Sequence, residues 1–142
     1  MQRIKMSAAL VFAGALLLSG CAAGGGSGDA SGDACETIRA EVRDISNGAQ
    51  NALAAGGDPS EVQSALEGYS ERADALGEEA DDDVAGALDA LVGALDEAAG
   101  FAETLPTDPE AEVDGEAVAE HQTAIQEAAT EVASACAADT EN

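Results

Sequence analysis

Few residues in this chain could do chemistry. Among 142 residues there are one histidine, one tyrosine, two phenylalanines and three cysteines, beside 29 carboxylates. His121 is the one imidazole, the side-chain type most often used as a general base. Its helical neighbours are Ala117, Val118, Ala124 and Ile125. With no carboxylate three or four residues away to orient the ring, His121 reads as a surface or boundary residue. Tyr69 and Phe101 could stack a sugar, but isolated aromatics of this kind more often fill a core or its boundary. Asp81, Asp82 and Asp83 could hold calcium loosely, and capping a helix is the simpler role for them. No zinc-binding spacing, EF-hand loop or nucleophile motif occurs. Gly24-Gly25-Gly26-Ser27-Gly28 lacks the preceding strand, the lysine and the Ser/Thr of a phosphate loop. We therefore expect no catalytic residue, no cofactor and no enzyme.

The elements that would position these residues are helices. Apolar residues at Cys35, Ile38, Val42, Ile45, Ala49 and Ala52 or Leu53 lie on one helical face, predicting a first helix over 34–55. Asp33 with Glu36 suits its N-cap, and Gly56-Gly57 its end. Asp58-Pro59-Ser60-Glu61 opens a second helix with the stripe Val62, Leu66, Tyr69, Ala73, Leu76 and Ala80. That helix ends at Gly77 or runs on to Ala80. The acids from Glu78 to Asp83 are unfavourable at a helix C-terminus and favourable at an N-terminus, so a break falls among them. The third helix carries Val84, Leu88, Leu91, Leu95, Ala98, Ala102 and Leu105, alternating four and three. Gly86, Gly93 and Gly100 recur on the opposite side, either as a solvent face or as a second face for close helix contact. The fourth helix starts between Asp108 and Glu116 and carries Val118, His121 or Gln122, Ile125, Ala128 or Ala129, Val132 and Cys136. No stretch has strand periodicity.

The start of the chain is different. Arg3 and Lys5 precede an apolar run that ends in Leu18-Ser19-Gly20-Cys21. A basic start, an apolar core and small residues before a cut describe a secretory signal. Met6 to Leu18 is too short to span a membrane, which takes roughly 20 residues. The four residues at its end resemble the lipobox of bacterial lipoproteins. That resemblance implies cleavage before Cys21, a diacylglyceryl group on its sulfur and acylation of the new amine. The expected organisation is then a signal peptide over 1–20, a flexible Gly/Ser/Ala/Asp tether over 21–33, an acidic domain over 34–139 and a frayed tail over 140–142. The tether reaches about 20 Å. The expected location is the extracytoplasmic face of the cell membrane.

Cleavage removes Arg3 and Lys5 and keeps every acid, moving the formal charge from −24 to −26. So acidic a chain is repelled by nucleic acid and by anionic lipid, and nucleic-acid binding is excluded. Its partner would be a basic envelope protein or a wall polymer bridged by cations. Large apolar residues are scarce, a composition shared with disordered chains. Against that stand abundant alanine, the best helix former, and helical spacing that a disordered chain would not need.

Cys35 opens the first helix and Cys136 closes the last. A disulfide needs α-carbons within about 7 Å, so pairing requires an even number of long antiparallel helices. An oxidising compartment permits the bond, and a small core profits from it. We therefore expect an all-α, up-down-up-down four-helix bundle closed by a Cys35–Cys136 disulfide. Cys21, Cys35, Asp58-Pro59 and Cys136 together resemble the small alanine-rich, disulfide-closed helical lipoproteins of high-GC actinobacteria. No catalytic residue carries over from that resemblance. The function expected is a non-enzymatic spacer or interaction module. The alternative is a small-ligand or cation-binding lipoprotein with a site between helices, near Tyr69 or Phe101.

Overall fold

The computed structural model describes residues 30–108 and 110–139, with side chains described for 34–108 and 110–138. The expected signal peptide, Cys21, most of the tether and the tail at 140–142 lie outside the described residues. Four helices follow in order: α1 (Ala30–Ala55), α2 (Pro59–Gly77), α3 (Asp82–Ala102) and α4 (Gly115–Asp139). Among the described residues there is no strand.

The helices form a ring in which α1 packs on α2, α2 on α3, α3 on α4, and α4 back on α1. Their directions can be read from the cross-links. On α2, Tyr69 lies against Gly48, while the later Arg72 reaches the earlier Glu41 and Asp44 of α1. Gln63 bonds Glu103, and the later Ser70 bonds the earlier Asp96 of α3. On α1, Arg39 meets Ala133, and the later Gln50 meets the earlier Gln126 of α4. Each contacting pair runs antiparallel, which makes an up-down-up-down bundle.

The helix ends follow local chemistry. Gly56 (φ 59°) and Gly57 (φ 109°) take left-handed conformations that end α1 at little steric cost. Asp58 accepts from the Ser60 backbone N–H at 2.9 Å and caps α2, with Pro59 in its first turn. α2 stops at Gly77, before the acidic run that would oppose its C-terminal dipole. Asp81 stands at the N-cap of α3 in extended conformation without a side-chain cap bond. At the head of α4, Asp114 accepts from the N–H groups of Glu116 (3.1 Å) and Ala117 (3.2 Å). Asp108 closes a separate turn through the Glu110 N–H at 2.9 Å, so it does not cap α4. One expected cap is corrected. α1 begins at Ala30, so Asp33 lies within its opening turns rather than at its N-cap.

The predicted stripes line the core. Ile45, Leu66, Leu88, Leu91, Leu95, Ile125 and Val132 are fully buried. Each large aliphatic side chain taken from water contributes about 1.5–3 kcal/mol. On α1, Leu53 rather than Ala52 is buried. The α2 stripe departs from expectation. Tyr69 and Leu76 are only partly buried, while Ser70 is buried and donates to Asp96 Oδ1 at 2.7 Å. A buried hydroxyl is costly without a partner, and Asp96 supplies one. Gly86, Gly93 and Gly100 face open space with nothing packed beside them, so they form a solvent face.

Candidate functional site

Cys35 and Cys136 are both buried and stand near disulfide distance, linking the first and last helices. They continue the antiparallel register set by Arg39–Ala133 and Gln50–Gln126. This end of the bundle also holds the α2–α3 connection, where Asp81, Asp82 and Asp83 are exposed. Successive helical residues point about 100° apart, which separates their carboxylates. Among the described residues, no three His, Cys, Asp or Glu side chains are placed to hold a metal ion.

His121 is half-buried, its ring 4.7 Å from that of Phe101 and tilted by 31°. This offset pair joins α4 to α3. Tyr69 is occupied too. Its ring crosses α1 at Gly48, where any Cβ would collide with the phenol. Arg72 sits 5.8 Å from the Tyr69 ring and donates from Nη2 to Glu41 Oε2 (2.8 Å) and Asp44 Oδ2 (3.1 Å). Hydrogen bonds to Glu41 and then Asp44 raise the Arg72 pKa, strengthening its hold on its charge. Tyr69, Phe101 and His121 therefore fasten helices to one another. None of the three lines either of two concavities found among the described residues.

The smaller concavity, about 220 Å³, lies between α1 and α4. Arg39, Arg43, Ser46, Asn47, Gln126 and Thr130 are among its lining residues, and no carboxylate is. Arg39, Ser46 and Gln126 already take part in hydrogen bonds at the helix contact. Arg39 donates to the Ala133 carbonyl at 3.3 Å, and Gln50 Nε2 donates to Ser46 Oγ (3.0 Å) and Gln126 Oε1 (3.1 Å).

The larger concavity, about 710 Å³, lies at the end of the bundle opposite the cysteines. Two connections and the helix ends beside them build it: the end of α1 with its turn, from Leu53 to Asp58, and the loop between α3 and α4 with the head of α4, from Leu105 to Val118. Leu53, Leu105, Pro106, Val113 and Val118 supply apolar wall, and Asp58 and Asp108 supply the carboxylates. Val113, 42% exposed, is the one large exposed apolar residue among the described residues. Hydrogen bonds from Ser60, its side chain first and its backbone N–H second, hold the Asp58 carboxyl below the usual carboxylate range.

Sequence reasoning placed no site here. Its walls come from stretches some fifty residues apart, joined only when the helices fold antiparallel. The available signal was Val113, a large apolar residue set between the acids Glu112 and Asp114.

The fold and its concavities define an all-helical small domain, an antiparallel four-helix bundle. No family model, curated protein or solved structure matches the chain. Among the described residues, no helix is long and apolar enough to cross a membrane.

Proposed function

We propose that this chain is a lipid-anchored extracytoplasmic lipoprotein whose acidic helical domain binds a partner without performing chemistry of its own. The observation that carries the anchor is Leu18-Ser19-Gly20-Cys21 at the end of an apolar run, followed by a glycine-rich tether. The bundle suits that placement. Under this reading the α1 start faces the membrane, and the 26 residues of α1 carry the opposite end about 39 Å outward. Charge supports a basic partner, since 29 acids face only five basic residues in the whole chain. The cysteine pair supports an oxidising compartment, where a Cys35–Cys136 bond would close the bundle.

Intact mass of the protein from its own membrane tests the anchor. The expected result is cleavage before Cys21 with acyl mass on that residue, and release or an uncleaved precursor for Cys21→Ser. An unacylated native protein would overturn the reading. The cleft of about 710 Å³ favours a second reading, a small-ligand-binding lipoprotein, because its volume falls in the range of ligand sites.

A further inference from the structure

We infer that the cleft at the outer end of the bundle is a binding site for a small organic cation, an ammonium head carried on an apolar body. This rests on the ligand-binding reading above and names the chemistry of its ligand.

Three observations converge on the cleft. First, large apolar side chains gather in its wall. Leu105, Pro106, Val113 and Val118 meet there, and Val113 stays exposed although nothing else large and apolar does among the described residues. Apolar surface left facing water lowers the free energy of any apolar body that covers it. Second, its two ionisable side chains are both carboxylates on separate elements. Asp58 stands at the head of α2, and Asp108 in the loop between α3 and α4. Each is held by a backbone N–H two residues on, Ser60 for Asp58 and Glu110 for Asp108. Both bonds use Oδ1, so the carboxylates are fixed without consuming Oδ2. Third, nothing basic compensates them. Arg39 and Arg43 line the other concavity, Arg72 is paired with Glu41 and Asp44, and no arginine or lysine lines the cleft.

An apolar wall selects a ligand with a hydrophobic body, and an uncompensated acidic rim rejects anions and attracts cations. A volume of about 710 Å³ admits a small molecule of ordinary ligand size. Each carboxylate is already tied to its own turn through Oδ1, which lowers the ordering cost of binding.

The test uses the mature, lipidated protein in nanodiscs of neutral lipid. Phenethyltrimethylammonium serves as probe, with 3-phenylpropanol as its uncharged analogue and 3-phenylpropionate as its anionic one. Methyl NMR of Val113, Val118 and Leu105 reads binding at the cleft itself. Saturable shifts are expected with the cation, weaker ones with the alcohol and none with the carboxylate. Asp58→Asn and Asp108→Asn should each weaken the cation about threefold and leave the alcohol unchanged. Asparagine caps a helix as aspartate does, so the fold is kept. High salt should erase the preference for the cation. Equal binding of cation and alcohol would overturn the cation inference while leaving a ligand-binding cleft. Absence of saturable binding by all three would overturn both. Tighter binding of a Lys-Leu-Lys peptide than of the probe would also overturn it, by assigning the cleft to a protein partner.

Discussion

The two ends of the bundle are built on different principles. At one end the chain enters α1 and leaves α4, and Cys35 and Cys136 meet as buried side chains near disulfide distance. The α2–α3 connection spans that end in a few residues, from Glu78 to Asp81. At the other end, Gly56, Gly57 and Asp58 join α1 to α2, and a longer loop from Glu103 to Asp114 joins α3 to α4. The short connection seals its end. The long loop leaves about 710 Å³ beside Val113. The cysteine pair sits where the chain ends must be held together, and the open space sits where two connections meet. Ligand sites are commonly found in regions of the second kind.

The sharpest test of this contrast is the cysteine pair. Non-reducing mass mapping should find Cys35 joined to Cys136. Reduction, or Cys35→Ser, should then lower unfolding stability by about 4 kcal/mol, because the bond closes a loop of roughly 100 residues. Denaturation curves that coincide with and without reductant would leave apolar packing as the whole of that seal.

Next comes packing. Leu88 is fully buried on α3, where its Cβ approaches Gly77 at the start of the short connection. Leu88→Ala should cost about 3 kcal/mol in chemical denaturation. Val113→Ala in the open loop should change stability by no more than about 0.5 kcal/mol. Equal losses from the two would show that the cleft end is closed in solution.

Between the ends, Gly48 and Tyr69 set how closely α1 and α2 approach. Gly48→Ala should destabilise by about 1–2 kcal/mol, since overlap with the Tyr69 ring outweighs the better helix propensity of alanine. In a Tyr69→Ala background the same change should stabilise, by up to about 1 kcal/mol. A thermal-melt double-mutant cycle reads that reversal of sign.

The smallest effect concerns Asp58. Its carboxyl is held below the usual range by the Ser60 side chain, then by the Ser60 N–H. A lowered folded pKa means the group stabilises the fold above its unfolded pKa. That contribution is lost as pH falls through the folded value. Asp58→Ala should therefore lower the melting temperature at neutral pH and flatten its fall in acid, while Asp58→Asn preserves the cap at neutral pH. A melt series from neutral to strongly acidic pH separates the two variants.

How much of this was legible from residues alone varies with the range of the interaction. Val84, Leu88, Leu91, Leu95, Ala98 and Ala102 are buried as their spacing predicted, because helical periodicity is local and a helix turns the same way in any context. Leu105, expected on the same helix, is buried in the loop instead, because α3 ends at Ala102. Asp58-Pro59 and Gly56-Gly57 were equally plain, since caps depend on adjacent residues. The even helix count followed from the need to bring Cys35 to Cys136. The start of α1 at Ala30 was not visible, because Ala30 to Asp33 is a Gly/Ser/Ala/Asp run that reads as tether.

By itself, then, the sequence determined what neighbouring residues decide: four helices, the caps on either side of the α1–α2 turn, most of the buried stripes, and a start that resembles a lipoprotein signal. Only the tertiary structure decided which partners meet across helices. It put Tyr69 on Gly48, Ser70 on Asp96 and Phe101 on His121, and so drew the two expected aromatic candidates into helix contacts. It also set Asp58 and Val113 around one cleft. The reason is physical. Helical periodicity fixes which way a side chain points along its own helix, whereas a cleft depends on how two loops settle after four helices have packed.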